Sequence, residues 1–139
     1  MKLRIRGNSI RLRLTRPEVR MLATAGAVEE TTRFDARAAF NYRLETTDLG
    51  DRVSAGWWDG RLTVRVPRAF AAAWDQSSQV GIEGTQVIEG HEPLRILIEK
   101  DFECLAPSRS ENQTGAYANP LSGAACEPST AAGEAGRKA

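Results

Sequence analysis

Lys2-Leu3-Arg4-Ile5-Arg6-Gly7-Asn8-Ser9-Ile10-Arg11-Leu12-Arg13-Leu14 is the stretch whose reading decides the fold. Apolar and polar residues alternate on both sides of Gly7-Asn8, a two-residue linker of the kind that reverses a β-hairpin. That turn sets Ile5 across from Ile10 and Leu3 across from Leu12, so the aliphatic side chains share one surface. Lys2, Arg4, Arg6, Arg11 and Arg13 fall on the other. Arg4 then stands directly opposite Arg11, and like charges in that position destabilise a strand pair. An acid elsewhere in the fold, or on a ligand, has to offset them.

Working outward, Thr15-Arg16-Pro17-Glu18 is a helix start, with Thr15 as N-cap and Glu18 completing a capping box. Val19 and Leu22 give that helix an apolar face, and Gly26 stops it. Val28 to Phe34 and Phe40 to Glu45 read as strands. A second hairpin turns at Asp59-Gly60, with Val53, Ala55 and Trp57 leading in and Leu62, Val64 and Val66 leading away. Pro67 opens a short Ala-rich helix with Phe70 and Trp74 on one face. Val80 to Glu83 and Leu94 to Glu99 complete the strands, separated by a Gly- and Pro-punctuated stretch holding His91.

The two halves match at an offset of 52 residues: Leu12 with Val64, Leu22 with Trp74, Val28 with Val80, Arg43 with Arg95, Leu44 with Ile96. The fold expected is therefore α+β, a pseudo-duplicated ββαββ, built as a curved antiparallel sheet or an eight-stranded barrel with two helices. The helices would cover the apolar face, and the polar face would become the wall of a groove or tunnel.

The chain has 139 residues, enough for one domain and not for two. That domain is placed at residues 1–121. From Ala106 onward Ser, Asn, Gly, Ala, Pro and Glu dominate, and residues 122–139 read as a disordered tail. The stretch 111–120, if ordered, is expected to dock as an irregular segment. Nineteen Lys and Arg against eighteen Asp and Glu leave a net charge of +1, which points to neither a nucleic-acid nor a membrane partner. The charge is unevenly spread, however: seven of the first twenty residues are Lys or Arg, with only Glu18 among them. No apolar h-region follows the initial charges, and no apolar run reaches the roughly 20 residues of a membrane span. Cys104 and Cys126 make no disulfide framework and lack zinc spacing, so a reducing, cytoplasmic protein is expected.

Two stretches carry a family likeness. The run Lys2 to Thr15, and Ile98-Glu99-Lys100-Asp101-Phe102-Glu103-Cys104-Leu105 followed by Glu111-Asn112-Gln113 and Tyr117-Ala118-Asn119-Pro120, resemble an uncharacterised bacterial family of small proteins, a domain of unknown function. The likeness spans residues 1–121 and implies no activity. Asn112 and Gly115 stand where the family pattern carries acids. The element order is also similar to the triphosphate-tunnel (CYTH-like) fold, whose polar barrel interior binds phosphate chains. That fold carries Glu-x-Glu-x-Lys near its start, where this chain has Lys2-Leu3-Arg4-Ile5-Arg6.

The candidate ligand-binding residues are Arg4, Arg6, Arg11, Arg13, Arg43 and Arg95, with Arg65 joining if the strand phases hold. Clustered guanidinium groups suit phosphate or carboxylate through bidentate hydrogen bonds. The plainer reading is a solvated face cross-paired with Glu29, Glu30, Glu45, Glu83 and Glu99. No aromatic residues interleave with the arginines for base stacking, which argues against nucleic acid. Cys104 has Asp101 and Glu103 beside it and His91 as the one histidine in the chain, a poor setting for a nucleophile. His91, Asp101 and Cys104 show no metal-ligand spacing, and no catalytic residue, metal or cofactor is assigned. Trp57 and Trp74 read as core, and Trp58 as facing the other way. The function expected is a non-catalytic module for a small phosphorylated or carboxylate ligand. The alternatives are a tunnel-type phosphate-chain hydrolase and a structural or protein-contact domain.

Overall fold

In the computed structural model, which describes residues 1–102 together with Gly115 and Tyr117, the first hairpin has the register its alternation requires. Strands β1 (Lys2–Ile5) and β2 (Ser9–Leu14) pair Leu3 with Leu12, Arg4 with Arg11 and Ile5 with Ile10. Gly7 takes a left-handed φ of 53° at the first central position of the turn, where a side chain would be strained. Next comes α1 (Arg16–Ala25). Glu18 accepts the Thr15 N–H at 2.8 Å, and Gly26, at φ 83°, closes the helix by donating to the Leu22 carbonyl. Strands β3 (Ala27–Arg33) and β4 (Ala39–Thr47) follow, then the hairpin β5 (Ser54–Trp58) and β6 (Arg61–Pro67), turned at Asp59-Gly60 with both φ angles positive. Helix α2 (Arg68–Asp75), β7 (Gly81–Gln86) and β8 (Leu94–Lys100) end the described run of elements.

The eight strands form neither one antiparallel sheet nor a closed barrel. They make two four-stranded mixed sheets, ordered β1-β2-β8-β7 and β3-β4-β6-β5, whose central pairs β2–β8 and β4–β6 are parallel. Alternation along a strand fixes which face each side chain takes but says nothing of the direction of its neighbour. Both sheets turn their apolar faces into one core. Leu12, Leu14, Ile96 and Ile98 from the first meet Leu44, Val64 and Val66 from the second, with Val19, Leu22 and Trp74 from the helices. Each large aliphatic group so buried contributes about 1.5–3 kcal/mol. The polar faces consequently lie outside, not around a tunnel.

The duplication is built into this topology. Exchanging β1 with β5, β2 with β6, β3 with β7 and β4 with β8 turns one sheet order into the other, so each half donates one hairpin to each sheet. The pairs Ile5–Ile10 and Trp57–Leu62 keep the offset of 52, as do the buried Leu22 and Trp74. Beyond α2 the offset becomes 54. Val28–Leu44 then superposes on Ile82–Ile98, and the parallel pairs Ile10–Ile96 and Leu62–Tyr42 also agree. The equivalences of Val28 with Val80, Leu44 with Ile96 and Arg43 with Arg95 are thereby corrected to Ile82, Ile98 and Leu97. Two residues inserted after α2 leave strand phase intact and so do not show in an alternation pattern.

Three aromatic or apolar positions also differ from expectation. Trp57 is 60% exposed, because it lies at the turn end of the second hairpin, where it stacks on Phe40 at 5.7 Å. Phe70 is exposed, since Ala71 and Trp74 are the buried positions of α2, and Val80 precedes β7 and is exposed too. Trp74 is fully buried as expected, its indole N–H donating to the Gln79 carbonyl at 2.9 Å.

The sheets meet along their edges without strand pairing. Ala55 in β5 donates its N–H to the Gln86 side chain of β7 at 2.7 Å. At the other edge the Met1 ammonium sits between Glu18 and Glu30, and the Tyr42 hydroxyl donates to the Met1 carbonyl. Of the 111–120 stretch only Gly115 and Tyr117 are among the described residues: the Gly115 carbonyl accepts from Arg16 N–H, and Tyr117 bridges to Phe102, while the rest of that stretch lies outside them. Cys104, Cys126 and the tail 122–139 lie outside the described residues. No described helix is long and apolar enough to cross a membrane.

Candidate functional site

The outer face of the first sheet is where alternation placed the basic residues, and pairing across four strands arranges them in rows. The first row runs Lys2, Arg13, Glu99, Gly81; the next Arg4, Arg11, Leu97, Glu83; the third continues past Ser9 to Arg95 and Thr85. Arg6 flanks the turn, its N–H donating to the Ser9 carbonyl. Five of the six sequence-derived candidates, Arg4, Arg6, Arg11, Arg13 and Arg95, are thus brought together. Arg43 is not. It belongs to β4 in the second sheet, as does Arg65 in β6, because strand parity reports a face and not which sheet carries it.

Charge compensation falls off along this face. In the first row Arg13 Nε donates to Glu99 at 2.6 Å, and Lys2 Nζ lies 3.1 Å from Asp101. In the second, Arg11 shares the same Glu99 carboxylate at a looser 3.7 Å. Among the described residues no carboxylate comes within ion-pair distance of Arg4, Arg6 or Arg95. The uncompensated guanidinium groups gather at the turn end of the sheet.

The second sheet is an internal control. Under the duplication, Arg13 and Glu99 correspond to Arg65 and Glu45, which also pair, at 3.1 Å. Every arginine on its two central strands has an acid: Arg43 bonds Glu45 at 2.7 Å and Glu29 at 2.9 Å, Arg61 lies 3.6 Å from Glu29, and Arg65 holds Glu45. Hydrogen bonds to Glu45 and then Glu29 raise the Arg43 guanidinium above its ordinary range. The positions equivalent to Arg4, Arg6, Arg11 and Arg95 are Gly56, Trp58, Thr63 and Asn41, all uncharged. Both sheets keep the arginine–glutamate lattice on their central strands; among the described residues the first gathers Arg4, Arg6 and Arg95 without an acid at one end, whereas the second leaves only Arg33, at the end of edge strand β3, without one.

Around these arginines the surface is indented. Arg4, Arg6, Ser9 and Arg11 line a depression of about 150 Å³. A second, of about 330 Å³, lies between the turn and the β7–β8 connection, lined by Arg6, Asn8, Ser9, Glu92, Pro93 and Arg95. A third, of about 340 Å³, runs from Ser9 and Arg11 over Leu97 to Glu83 and Thr85. Ser9 borders all three. Backbone bonds hold this region in shape: Arg95 N–H donates to the Asn8 carbonyl at 3.0 Å, and the Asn8 side chain donates to the Glu92 carbonyl at 2.7 Å.

Asn8, Ser9, Leu97 and Thr85 were not among the residues singled out by sequence. Asn8 and Ser9 carried a usable signal, being the turn between two arginine-bearing strands. The contributions of β7 and β8 depend on a parallel pairing that alternation does not encode. His91 is exposed in the β7–β8 connection, its N–H donating to the Ile88 carbonyl. Among the described residues no three His, Cys, Asp or Glu side chains are grouped so as to hold a metal ion.

No curated protein and no solved structure matches this chain. The model of one family does, over residues 1–121, the span of both anchor stretches and of every arginine discussed above, and the chain belongs to that family of unknown function, DUF7009.

Proposed function

We propose that the outer face of the first sheet is a non-catalytic binding site for a small anionic ligand, phosphorylated or carboxylate, held by Arg4, Arg6, Arg11 and Arg95. One observation carries this reading. Arg4 is paired directly with Arg11, and the surplus cations around them have no acid among the described residues, although the equivalent positions on the other sheet bear no charge. A fold indifferent to ligands could replace either arginine and lose a repulsion. Arg13 serves instead to orient Glu99, and Arg43 belongs to the ion-pair lattice of the second sheet. No aromatic side chain lies among the four arginines, so a small anion suits them better than a nucleic acid. The tunnel-type hydrolase reading loses its geometric basis, because the sheets leave no closed barrel to line. A cytoplasmic location belongs to the same proposal, resting on the two cysteines.

The test is a thermal melt in low salt with phosphate, citrate, nucleotides and polyphosphate. A ligand that binds only the folded chain stabilises it by about 2.7 kcal/mol at a hundredfold excess over Kd. The shift should shrink with salt, since the face is exposed. Replacing Arg4 and Arg11 together by Gln should abolish it in a protein that still folds. No shift with any of these anions would sink the proposal.

A second reading is favoured by one feature. Trp58 is 85% exposed and Trp57 60% exposed at the tip of the second hairpin, a surface suited to contact with another protein. Loss of self-association or of a partner in Trp58→Ala would support it.

A further inference from the structure

The proposed anion site is polarised across the sheet, and this sets the kind of molecule it can hold. The row Arg4–Arg11–Leu97–Glu83 reads, strand by strand from β1 to β7, as cation, cation, apolar, acid. Arg11 and Glu83 are two strand spacings apart, about 10 Å between backbones. Leu97, half-buried, forms the floor between them, and one depression of about 340 Å³ spans Arg11, Leu97, Glu83 and Thr85. It adjoins the smaller hollow of about 150 Å³ lined by Arg4, Arg6, Ser9 and Arg11. Glu83 is exposed, and among the described residues no ion pair or hydrogen bond engages its carboxylate, so it is available as an acceptor.

Resting on the anion-site reading, we infer that the ligand is a phosphate monoester of a short carbon skeleton with a hydrogen-bond donor at its far end. The phosphate occupies the Arg4, Arg6 and Arg11 hollow, where guanidinium forks match its oxygens. The carbon skeleton crosses Leu97. The distal donor reaches Glu83, with the Thr85 hydroxyl beside it. Inorganic phosphate fills only the first part. A dicarboxylate or a polyphosphate chain fits worse, because it would bring a second negative group against Glu83. The distal donor can be a hydroxyl or an ammonium, and both satisfy a carboxylate acceptor.

Calorimetric titration of the full chain in low salt tests this with inorganic phosphate, ribose 5-phosphate and phosphoethanolamine. One of the two esters should bind about tenfold more tightly than phosphate, the gain of one or two net hydrogen bonds. Glu83→Ala should bring that ester down to the level of phosphate and leave phosphate itself unchanged or slightly tighter. Glu83→Gln separates the two donors: a hydroxyl still finds the amide oxygen, whereas an ammonium loses its counter-charge. If phosphate binds but neither ester binds more tightly, the two-ended ligand is wrong and the anion site stands. A loss of phosphate and ester affinity by the same factor in Glu83→Ala would also overturn the inference, since Glu83 would then be acting through the fold. If nothing binds, the anion site fails and this inference with it.

Discussion

A methyl group on Gly84 would stand 2.6 Å from the Cβ of Val53, well inside van der Waals contact. Gly84 is in the edge strand β7 of one sheet, and Val53, 3% exposed, immediately precedes the edge strand β5 of the other. The absence of a side chain at one residue thus lets two unpaired sheet edges close over the core. Gly84→Ala should cost about 1–3 kcal/mol by overpacking, read as a lower denaturant midpoint. Because the obstacle is the Cβ itself, adding Val53→Ala should not restore stability. An unchanged midpoint in Gly84→Ala would show that the edges do not approach here.

The duplication makes a paired prediction. Leu12 and Val64 correspond at the offset of 52, and both are buried, at 1% and 0% exposure. Leu12→Ala should destabilise by about 2–5 kcal/mol and Val64→Ala by somewhat less, in proportion to the smaller volume removed. Either proving neutral in equilibrium unfolding would place its strand in solvent and undo the equivalence.

The inserted pair of residues after α2 has a visible use. The longer turn supplies the Ser77 carbonyl, which accepts from Lys100 Nζ at 2.6 Å, and the Gln79 carbonyl, which accepts from Trp74. Lys100 is buried against the rings of Trp74 and Tyr117, and burial, opposed by Asp75 and reinforced by Arg16, lowers its pKa below the ordinary 10.5. The folded state therefore binds this proton less tightly than the unfolded state, so stability rises with pH between the two values. The stability of the native chain relative to Lys100→Met should increase from neutral pH towards 10.5. A flat or falling difference would mean that Lys100 keeps its charge at no cost.

Much of this was legible in the chain. Strict alternation and two turn signals, Gly7-Asn8 and Asp59-Gly60, fixed both hairpins with their registers, and Thr15 with Glu18 fixed the start of α1. Period-two patterns are blind to even shifts, which hid the insertion after α2, and blind to strand direction, which hid the parallel β2–β8 and β4–β6 pairs. The same blindness put Arg43 on the wrong sheet while grouping Arg4, Arg6, Arg11, Arg13 and Arg95 correctly. Trp57 has the phase of a core residue, but it lies where the hairpin outruns the core. The Met1 ammonium between Glu18 and Glu30 had no sequence signal beyond a capping-box glutamate with an oxygen to spare.

The last prediction sets the two arginine faces against each other without ligand. On the second sheet Arg43 holds Glu29 and Glu45, with the three side chains 26–34% exposed. Arg43→Gln leaves two carboxylates short of a partner and should lower stability by up to about 1 kcal/mol. On the first sheet, Arg4→Gln with Arg11→Gln removes a facing pair of like charges and should leave stability unchanged or raise it. Added salt should separate them further. Screening weakens the Arg43 lattice, so the second sheet loses a little, whereas it relieves the repulsion between Arg4 and Arg11, and that gain should vanish in the double variant. Urea unfolding of the three proteins at low and high salt checks all of these signs. Should the Arg4 and Arg11 double variant prove less stable than the native chain by more than the loose 3.7 Å contact of Arg11 with Glu99 accounts for, about 1 kcal/mol at most, those guanidinium groups are bound to further acids of the fold itself, and the surplus positive charge on which the anion site depends does not exist.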